Sequence, residues 1–286
     1  MRDYFILCKP RVVLLMLLTV WAGMTLASTG PLPWSLWVNA TLGIALLSGA
    51  AATMNHIIDH RIDAIMERTK HRPLASGKLS LSQAWVFATL QSLLGFFILY
   101  LWVNPLTALL TALTAVGYAI IYSIFLKRST SQNIVIGGLS GAMPPLLGWV
   151  AVTGQLDAKS WLLVLIIFAW TPAHFWALCI HRLDEYKKSS YPMLPVTHGV
   201  PYTKLNILFY TLLTAVTSLL PYVTGMSGYF YLVSVLLLNA GFLFYAFKLQ
   251  FAPENNTLAL RTFHYSLIYL TGLFAALLID HHLMLS

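Results

Sequence analysis

Long runs of apolar residues recur along the whole chain, and they constrain its fold more than any other feature. Hydrophobic residues make up 58% of the 286 residues, and the mean hydropathy is +0.75. Each run approaches the roughly 20 residues that an α-helix needs to cross a bilayer. The pattern excludes an ordinary soluble domain and predicts an all-α polytopic membrane protein. Nine spans are predicted near 11–28, 36–56, 83–103, 105–125, 133–152, 161–181, 203–223, 228–248 and 262–281.

The basic residues predict how these spans are oriented. Of the 17 lysines and arginines, 16 fall at the N-terminus or in the loops after the even-numbered spans, and only Lys159 falls on the other side. The positive-inside rule therefore predicts a cytoplasmic N-terminus and an external C-terminus. The N-terminus resembles a secretory signal, but its apolar run is long enough to cross and further spans follow, so a retained helix is expected. The net charge of +8 reflects this topology, and no nucleic-acid partner is expected.

The loop lengths predict two related halves within a single transmembrane domain, residues 1–286. Long polar connections near 57–82 and 182–202 each follow the second helix of a group of four. The halves are predicted at about 1–125 and 133–248, with a ninth helix at 262–281. Paired halves with a site at their interface are a common membrane architecture. Within the fifth span, Pro144-Pro145 predicts a break in the helix.

Asn55, Asp59 and Asp63 are spaced i, i+4, i+8 at the inner end of the second span. On a helix, each step of four residues turns by about 40° and rises by about 6 Å, so the three side chains form one stripe. Oxygen ligands favour a hard cation, and Mg²⁺ often combines one or two carboxylates with substrate phosphates. The spacing predicts that His56 and His60 point off the stripe, which argues against zinc.

Basic residues follow the stripe in a loop that Pro73 and Gly77 punctuate. Arginine forks match phosphate oxygens, so carboxylates followed by arginines indicate a clamp for a diphosphate. The alternative is an ordinary positive-inside loop, in which the acids simply form i,i+4 pairs with bases. The candidate diphosphate ligands on this side are Arg68, Arg72, Lys127 and Arg128.

A second polar stripe descends from the sixth span. His174 and His181 are seven residues apart on one helix face, and Asp184 continues toward the cytoplasm. Asp184 is the natural second carboxylate for a metal–diphosphate site, with Lys187 or Lys188 beside it. A lone histidine in a helix is often a packing residue, and this alternative stays open for His174.

These motifs resemble the UbiA-type intramembrane prenyltransferase superfamily and, within it, the haem-modifying branch. The superfamily pattern is met by Asn55, Asp59 and Asp63, and the resemblance covers residues from about 4 to 281. One departure is that Asp184 has no second aspartate four residues away, which favours the haem-modifying branch. The closer motifs are KPRVV at 9–13, Arg68-Thr69, Arg72-Pro73, LKRST at 126–130, NIVIGGLSGAMPPLLGW at 133–149, HFWAL at 174–178 and YPMLP at 191–195.

The resemblance implies transfer of a farnesyl group from farnesyl diphosphate to a vinyl group of haem B, giving haem O and diphosphate. It implies an enzyme of the bacterial inner membrane whose site faces the cytoplasm and whose product serves terminal oxidases, with haem A synthase as a further partner. Mg²⁺ is expected on Asp59, Asp63 and Asp184. The implied acceptor-pocket residues are His174 and His181, either of which is a candidate for the haem iron, with Phe175, Trp176, Tyr118, Tyr122 and Arg11.

Three other interpretations fit part of the pattern. An enzyme that prenylates an aromatic acid or a quinone precursor would share the first stripe, but not HFWAL or YPMLP. A transporter would also show paired halves, but the charges gather at one membrane face and no unwound pair of spans lies at mid-depth. A haem-binding assembly protein without catalysis is the third.

Overall fold

The structure, a computed structural model, describes residues 1–67, 69–188, 191–253 and 256–285, with only the backbone described at Asn256. Helices account for most of these residues, and no strand occurs among them. The chain divides into two compact units. One comprises Met1–Arg128 and Met143–Leu156, and the other comprises Ser129–Ala142 and Asp157–Ser286. The predicted division into related halves stays a prediction.

The first unit is built on two long helices that pack along each other, α3 (Trp34–Asp63) and α4 (Leu81–Trp102). Two glycines face each other at this contact, because a Cβ on Gly43 would meet Leu99, and one on Gly95 would lie 2.9 Å from the Gly43 carbonyl. Small residues of this kind let membrane helices approach closely. The helices of the unit are α1 (Arg2–Leu7), α2 (Pro10–Ala27), α3 (Trp34–Asp63), α4 (Leu81–Trp102), α5 (Pro105–Val116), a π-helical segment (Gly117–Leu126), α6 (Lys127–Ser129, which ends just beyond the unit) and α8 (Pro144–Thr153).

A second close contact holds α2 against α8. A Cβ built on Gly23 would overlap the carbonyl group of Pro145, and one built on Gly148 would overlap the carbonyl group of Val20. Only glycine permits this backbone approach. The break before α8 lies at Met143, where the Pro144-Pro145 pair predicts it.

The described part of the second unit also consists of helices joined by turns and loops, without a strand. They pack around α9 (Ala158–His181), whose most extensive contacts are with the helices Asn133–Ala142, Gly199–Thr217 and Asn256–Leu285. The helices are α7 (Asn133–Ala142), α9 (Ala158–His181), α10 (Leu183–Lys188), α11 (Leu194–Thr197), α12 (Gly199–Thr217), α13 (Leu220–Val223), α14 (Tyr229–Phe251) and α15 (Asn256–Leu285).

Within the described residues, nine helical stretches are long and apolar enough to cross a membrane. The predicted all-α fold with nine spans is therefore confirmed. The helix α3 is longer than the span predicted at 36–56, and its 30 residues exceed the roughly 20 that a bilayer requires. Its last turns extend beyond the predicted end at residue 56 and carry the carboxylate stripe.

Candidate active site

The carboxylate stripe lies on the last turns of α3 and is buried. Asn55, Asp59 and Asp63 are 3%, 1% and 5% exposed. The Asn55 amide donates hydrogen bonds to Asp59 Oδ2 and to Ser123 Oγ, each at 3.0 Å. Because buried carboxylates repel each other unless something positive or hydrogen-bonding lies beside them, the stripe depends on its neighbours.

Each carboxylate has a cationic partner supplied from elsewhere in the first unit. Lys127 Nζ lies 2.6 Å from Asp59 Oδ2, and Arg72 Nη1 lies 2.7 Å from Asp63 Oδ2. Arg128, at the same helix start as Lys127, lies farther away at 3.8 Å from Asp59 Oδ1. These predicted diphosphate ligands are therefore close to the carboxylates, and Lys127 and Arg72 form their ion pairs.

The π-helical segment places two of these groups. Ser123, in its middle, donates to the Tyr118 carbonyl at 3.0 Å and accepts from Asn55. Lys127 follows directly after the segment. The wider turn of a π-helix shifts side chains relative to a regular helix, and such segments often occur at functional sites. Here it turns both Ser123 and Lys127 toward α3.

Lys9 completes the cluster from the start of α2. Its Nζ donates to Asn55 Oδ1 at 2.5 Å and to the Tyr118 hydroxyl at 3.4 Å. Its backbone has φ of 49°, and it is the one non-glycine residue with positive φ within the described chain. This left-handed conformation costs about 1–2 kcal/mol, so surrounding contacts must stabilise it. The Lys9 side chain is therefore anchored to Asn55 and Tyr118.

The charges of this cluster favour an anion that carries a metal ion. Four cations, Lys9, Arg72, Lys127 and Arg128, lie around two carboxylates. The oxygens of Asn55 and the two aspartates are hard ligands that suit Mg²⁺. No group of three or more histidine, cysteine or acidic side chains able to hold a metal occurs among the described residues. Mg²⁺ sites completed by substrate phosphates use such a sparse protein ligand set.

The second predicted cluster lies in the second unit and has a different character. The His174 ring stacks between Trp170 and Phe263, with ring centroids 4.2 and 4.5 Å away. Its Nδ1 lies 2.7 Å from Ser266 Oγ. Trp176 is completely buried, and its ring meets Tyr210 edge-on. These two residues are thus held in fixed orientations by aromatic packing.

The other predicted residues lie at the surface or at partly buried positions. The Asp184 side chain is 89% exposed, and its carboxylate is 4.0 Å from Lys187 Nζ. Tyr122 stacks on Tyr118 with a centroid distance of 5.8 Å. Lys188 and Arg11 are exposed, Phe175 and His181 are partly buried, and Arg68 lies outside the described residues.

Comparison with known families assigns the chain to one of them. Residues 16–268 match the model of the UbiA prenyltransferase family. The chain belongs to this family. The resemblance to this family that the motifs indicate is therefore confirmed, and the protein is a prenyltransferase.

Individual proteins and solved structures are also similar to this chain. The protoheme IX farnesyltransferase of Legionella pneumophila strain Paris is 57% identical over 281 residues, which cover 98% of this chain and 95% of that protein. A solved structure from work on digeranylgeranylglyceryl phosphate synthase has a TM-score of 0.84 at 20% identity and covers 98% of both chains. A UbiA homologue from Archaeoglobus fulgidus, bound to GPP and Mg²⁺, has a TM-score of 0.65 at 16% identity, covering 96% of this chain and 99% of its own. These structures show the shared UbiA fold.

Three residues near the stripe could not be predicted as its neighbours from the sequence. Lys9 and Ser123 contact Asn55 from 46 and 68 residues away, so no local spacing connects them. His56 follows Asn55 directly, and the spacing predicts that it points off the stripe. In the structure it is nonetheless buried and lies within range of the charges of Arg72 and Lys127.

Proposed function

We propose that this protein transfers the farnesyl group of farnesyl diphosphate to a vinyl group of haem B. The products are haem O and diphosphate, and water supplies the hydroxyl group of the new side chain and releases a proton. Family membership and 57% identity to a protoheme IX farnesyltransferase support this reaction. The observation that carries it in the structure is the buried stripe Asn55, Asp59 and Asp63 with cations paired to both carboxylates.

The residues at the stripe fit Mg²⁺. Asp59 and Asp63 would hold the ion through carboxylate oxygens, and Asp184 stays the predicted third ligand. When bound, Mg²⁺ neutralises charge on the diphosphate and so makes it a better leaving group. The related protein from Archaeoglobus fulgidus was solved with GPP and Mg²⁺, which supports the same requirement here.

The cations have two successive partners in this proposal. Without substrate, Lys127 and Arg72 neutralise Asp59 and Asp63. When substrate and metal are present, the same two side chains turn to the diphosphate oxygens, where charge-assisted hydrogen bonds are strong. Arg128, Arg68, Lys187 and Lys188 are proposed as further diphosphate ligands.

Aromatic residues shelter the reacting carbon in this proposal. Loss of diphosphate leaves an allylic cation that bulk water would trap, and aromatic faces stabilise a cation while excluding water. The stacked pair Tyr118 and Tyr122 is next to Lys9 and the stripe, which suits this role. Phe175 and Trp176 are proposed for the acceptor side.

The histidines are proposed to contact haem. Haem iron is commonly held by histidine nitrogen. Ser266 engages Nδ1 of His174, so a bond from His174 to iron would use Nε2. His181 is the second candidate, and Arg11 is proposed to bind a propionate at the membrane surface.

The protein is an integral membrane protein, and its finer placement is part of the proposal. We propose the bacterial inner membrane, a cytoplasmic N-terminus and an external C-terminus, because the basic residues follow the positive-inside pattern. The haem O formed would supply terminal oxidases, directly or through haem A synthase.

Reconstitution with defined substrates tests the reaction. The purified protein in lipid nanodiscs receives farnesyl diphosphate, haem B and Mg²⁺, and the extracted haem is analysed by mass spectrometry. Haem O should form in this mixture. No haem O should form when a chelator removes the Mg²⁺, and its formation should resume when excess Mg²⁺ is added. Prenylation of a phenolic acid without any haem O would favour the rival enzyme. Haem binding without either product would favour an assembly protein.

A further inference from the structure

His56 is a buried histidine near the stripe, and its ring has no hydrogen-bond partner among the residues that the structure describes. It is 2% exposed, directly follows Asn55, and lies on α3. Neither Nδ1 nor Nε2 has a hydrogen-bond partner within the described part of the chain. A neutral imidazole presents one N–H donor and one acceptor, and leaving such groups buried and unpaired is costly.

The position of the ring places it beside the functional cluster. His56 points about 100° away from its neighbour Asn55, but it precedes Asp63 by seven residues on the same helix. Its side chain therefore leaves α3 within about 20° of the direction of Asp63, about 10 Å away along the helix axis. The ring also lies within electrostatic range of Lys9, Arg72 and Lys127. All three belong to the cation cluster that surrounds the stripe.

A packing role explains these observations poorly. An apolar side chain of similar size would fill the same space without two unpaired nitrogens. His60, one turn later, shows the satisfied alternative, since its Nδ1 lies 2.7 Å from the Ile57 carbonyl. The cations around His56 attract an anionic acceptor and repel a cationic donor, so the missing partner of its N–H should be an anionic oxygen.

We infer that His56 donates a hydrogen bond to a diphosphate oxygen of the prenyl substrate. This rests on the proposed function, and it adds an uncharged donor to a clamp that the sequence predicts from lysine and arginine alone. An N–H donor is directional, so His56 positions the diphosphate, whereas the cations supply attraction.

The test compares His56→Leu with His60→Leu, a histidine substitution one turn away on the same helix. Binding of farnesyl thiodiphosphate, an unreactive analogue, is measured calorimetrically in nanodiscs with Mg²⁺. His56→Leu should weaken this binding by about 10- to 100-fold, as expected for a hydrogen bond to a charged group, and should raise the KM for farnesyl diphosphate similarly. The KM for haem B should not change. His60→Leu should bind the analogue within about twofold of wild type.

Thermal unfolding separates this role from packing. Without ligand, His56→Leu should unfold at the wild-type temperature or above it, because an unpaired polar group is removed, and its stabilisation by the analogue should shrink. A lower unfolding temperature with an unchanged analogue affinity would overturn the inference. Should His56→Leu fail to fold, His56→Gln and His56→Phe decide the question. His56→Gln keeps an N–H donor, whereas His56→Phe has none, so the glutamine variant should bind the analogue at least about tenfold more tightly than the phenylalanine variant. Equal analogue affinities of these two variants would refute the role of His56.

The two proposals fail in distinguishable ways. Analogue binding needs no haem, so a His56-dependent affinity in a protein that makes no haem O would reject the acceptor assignment alone. Haem O formation with analogue affinity independent of residue 56 would reject the role of His56 alone.

Discussion

Replacing Lys127 by methionine tests whether this cation alternates between Asp59 and the diphosphate. Methionine keeps most of the length of the side chain and removes its charge. At 2.6 Å and an effective dielectric constant of about 20, the Coulomb attraction of this pair is about 6 kcal/mol before desolvation is subtracted. Breaking a buried pair from one side typically costs 3–5 kcal/mol.

The expected cost lies near the lower end of that range. Asp59 keeps the Asn55 amide at 3.0 Å and Arg128 at 3.8 Å, so we expect a loss of about 3 kcal/mol. For a chain of 286 residues, whose unfolding entropy at the Tm is about 0.6 kcal/mol/K, that loss lowers the Tm by about 5 °C. The matched control is Arg128→Met, because Arg128 is 46% exposed and its distance to Asp59 is long. The control should change stability by less than about 1 kcal/mol.

Ligand binding should move in opposite directions for metal and substrate. In the wild type, a metal ion must displace Lys127 from Asp59, whereas in Lys127→Met it meets a carboxylate that has already lost this partner. Metal affinity without diphosphate should therefore rise by about 100-fold, which corresponds to the same 3 kcal/mol. Affinity for farnesyl thiodiphosphate at saturating Mg²⁺ should fall by at least about tenfold, because a charge-assisted hydrogen bond is lost.

Mn²⁺ binding followed by electron paramagnetic resonance, with calorimetry for the analogue, measures both effects in nanodiscs. A variant with wild-type Tm and wild-type Mn²⁺ affinity would show that the pair does not restrain the carboxylate. A variant with weaker metal binding would refute the exchange, since the lysine would then be assisting the metal.

Three further predictions test other parts of the structure. Asp63→Asn should lower the rate of haem O formation by at least about 100-fold while haem still co-purifies, as measured by absorbance and mass spectrometry. Gly23→Ala should destabilise the protein by about 1–3 kcal/mol, because its Cβ would overlap the carbonyl group of Pro145; Gly141→Ala, which meets open space, should leave the Tm unchanged or slightly higher. Asp280→Ala should cost about 1–2 kcal/mol in thermal unfolding without altering the KM for farnesyl diphosphate, because its buried carboxylate accepts from two backbone N–H groups at the start of α14.

The spans could be predicted from the sequence because length and apolarity alone decide whether a helix can cross a bilayer. The break at Met143 follows from the proline pair after it. The π-helical segment was not predicted, because Gly117–Leu126 is an apolar run within the span predicted at 105–125, and apolarity does not distinguish a π-helix from an α-helix. Within it, Ser123 donates to the Tyr118 carbonyl and accepts from Asn55 on α3, and the contact to α3 arises only in the folded protein.

The functional cluster was predictable where its members are close in sequence. The spacing of Asn55, Asp59 and Asp63 places them on one stripe because helix periodicity is fixed. Lys9 could not be assigned to that stripe from the sequence. Its contact with Asn55 depends on its own left-handed backbone conformation, with which the chain enters α2. Lys127 could be predicted as basic and cytoplasmic, but its pairing with Asp59 requires the packing of the π-helical segment on α3.

The combination of charges at the stripe restricts what it can bind. A site built for a metal ion alone would gain nothing from lysine and arginine beside its carboxylates, since these cations compete with the ion. A site built for an anion alone would gain nothing from buried carboxylates, since these repel it. Asp59 with Lys127 and Asp63 with Arg72 are compatible with both demands only if metal and anion arrive together. Each partner of an ion pair then receives an opposite charge, and no buried charge is left unpaired. A diphosphate that carries Mg²⁺ meets this condition.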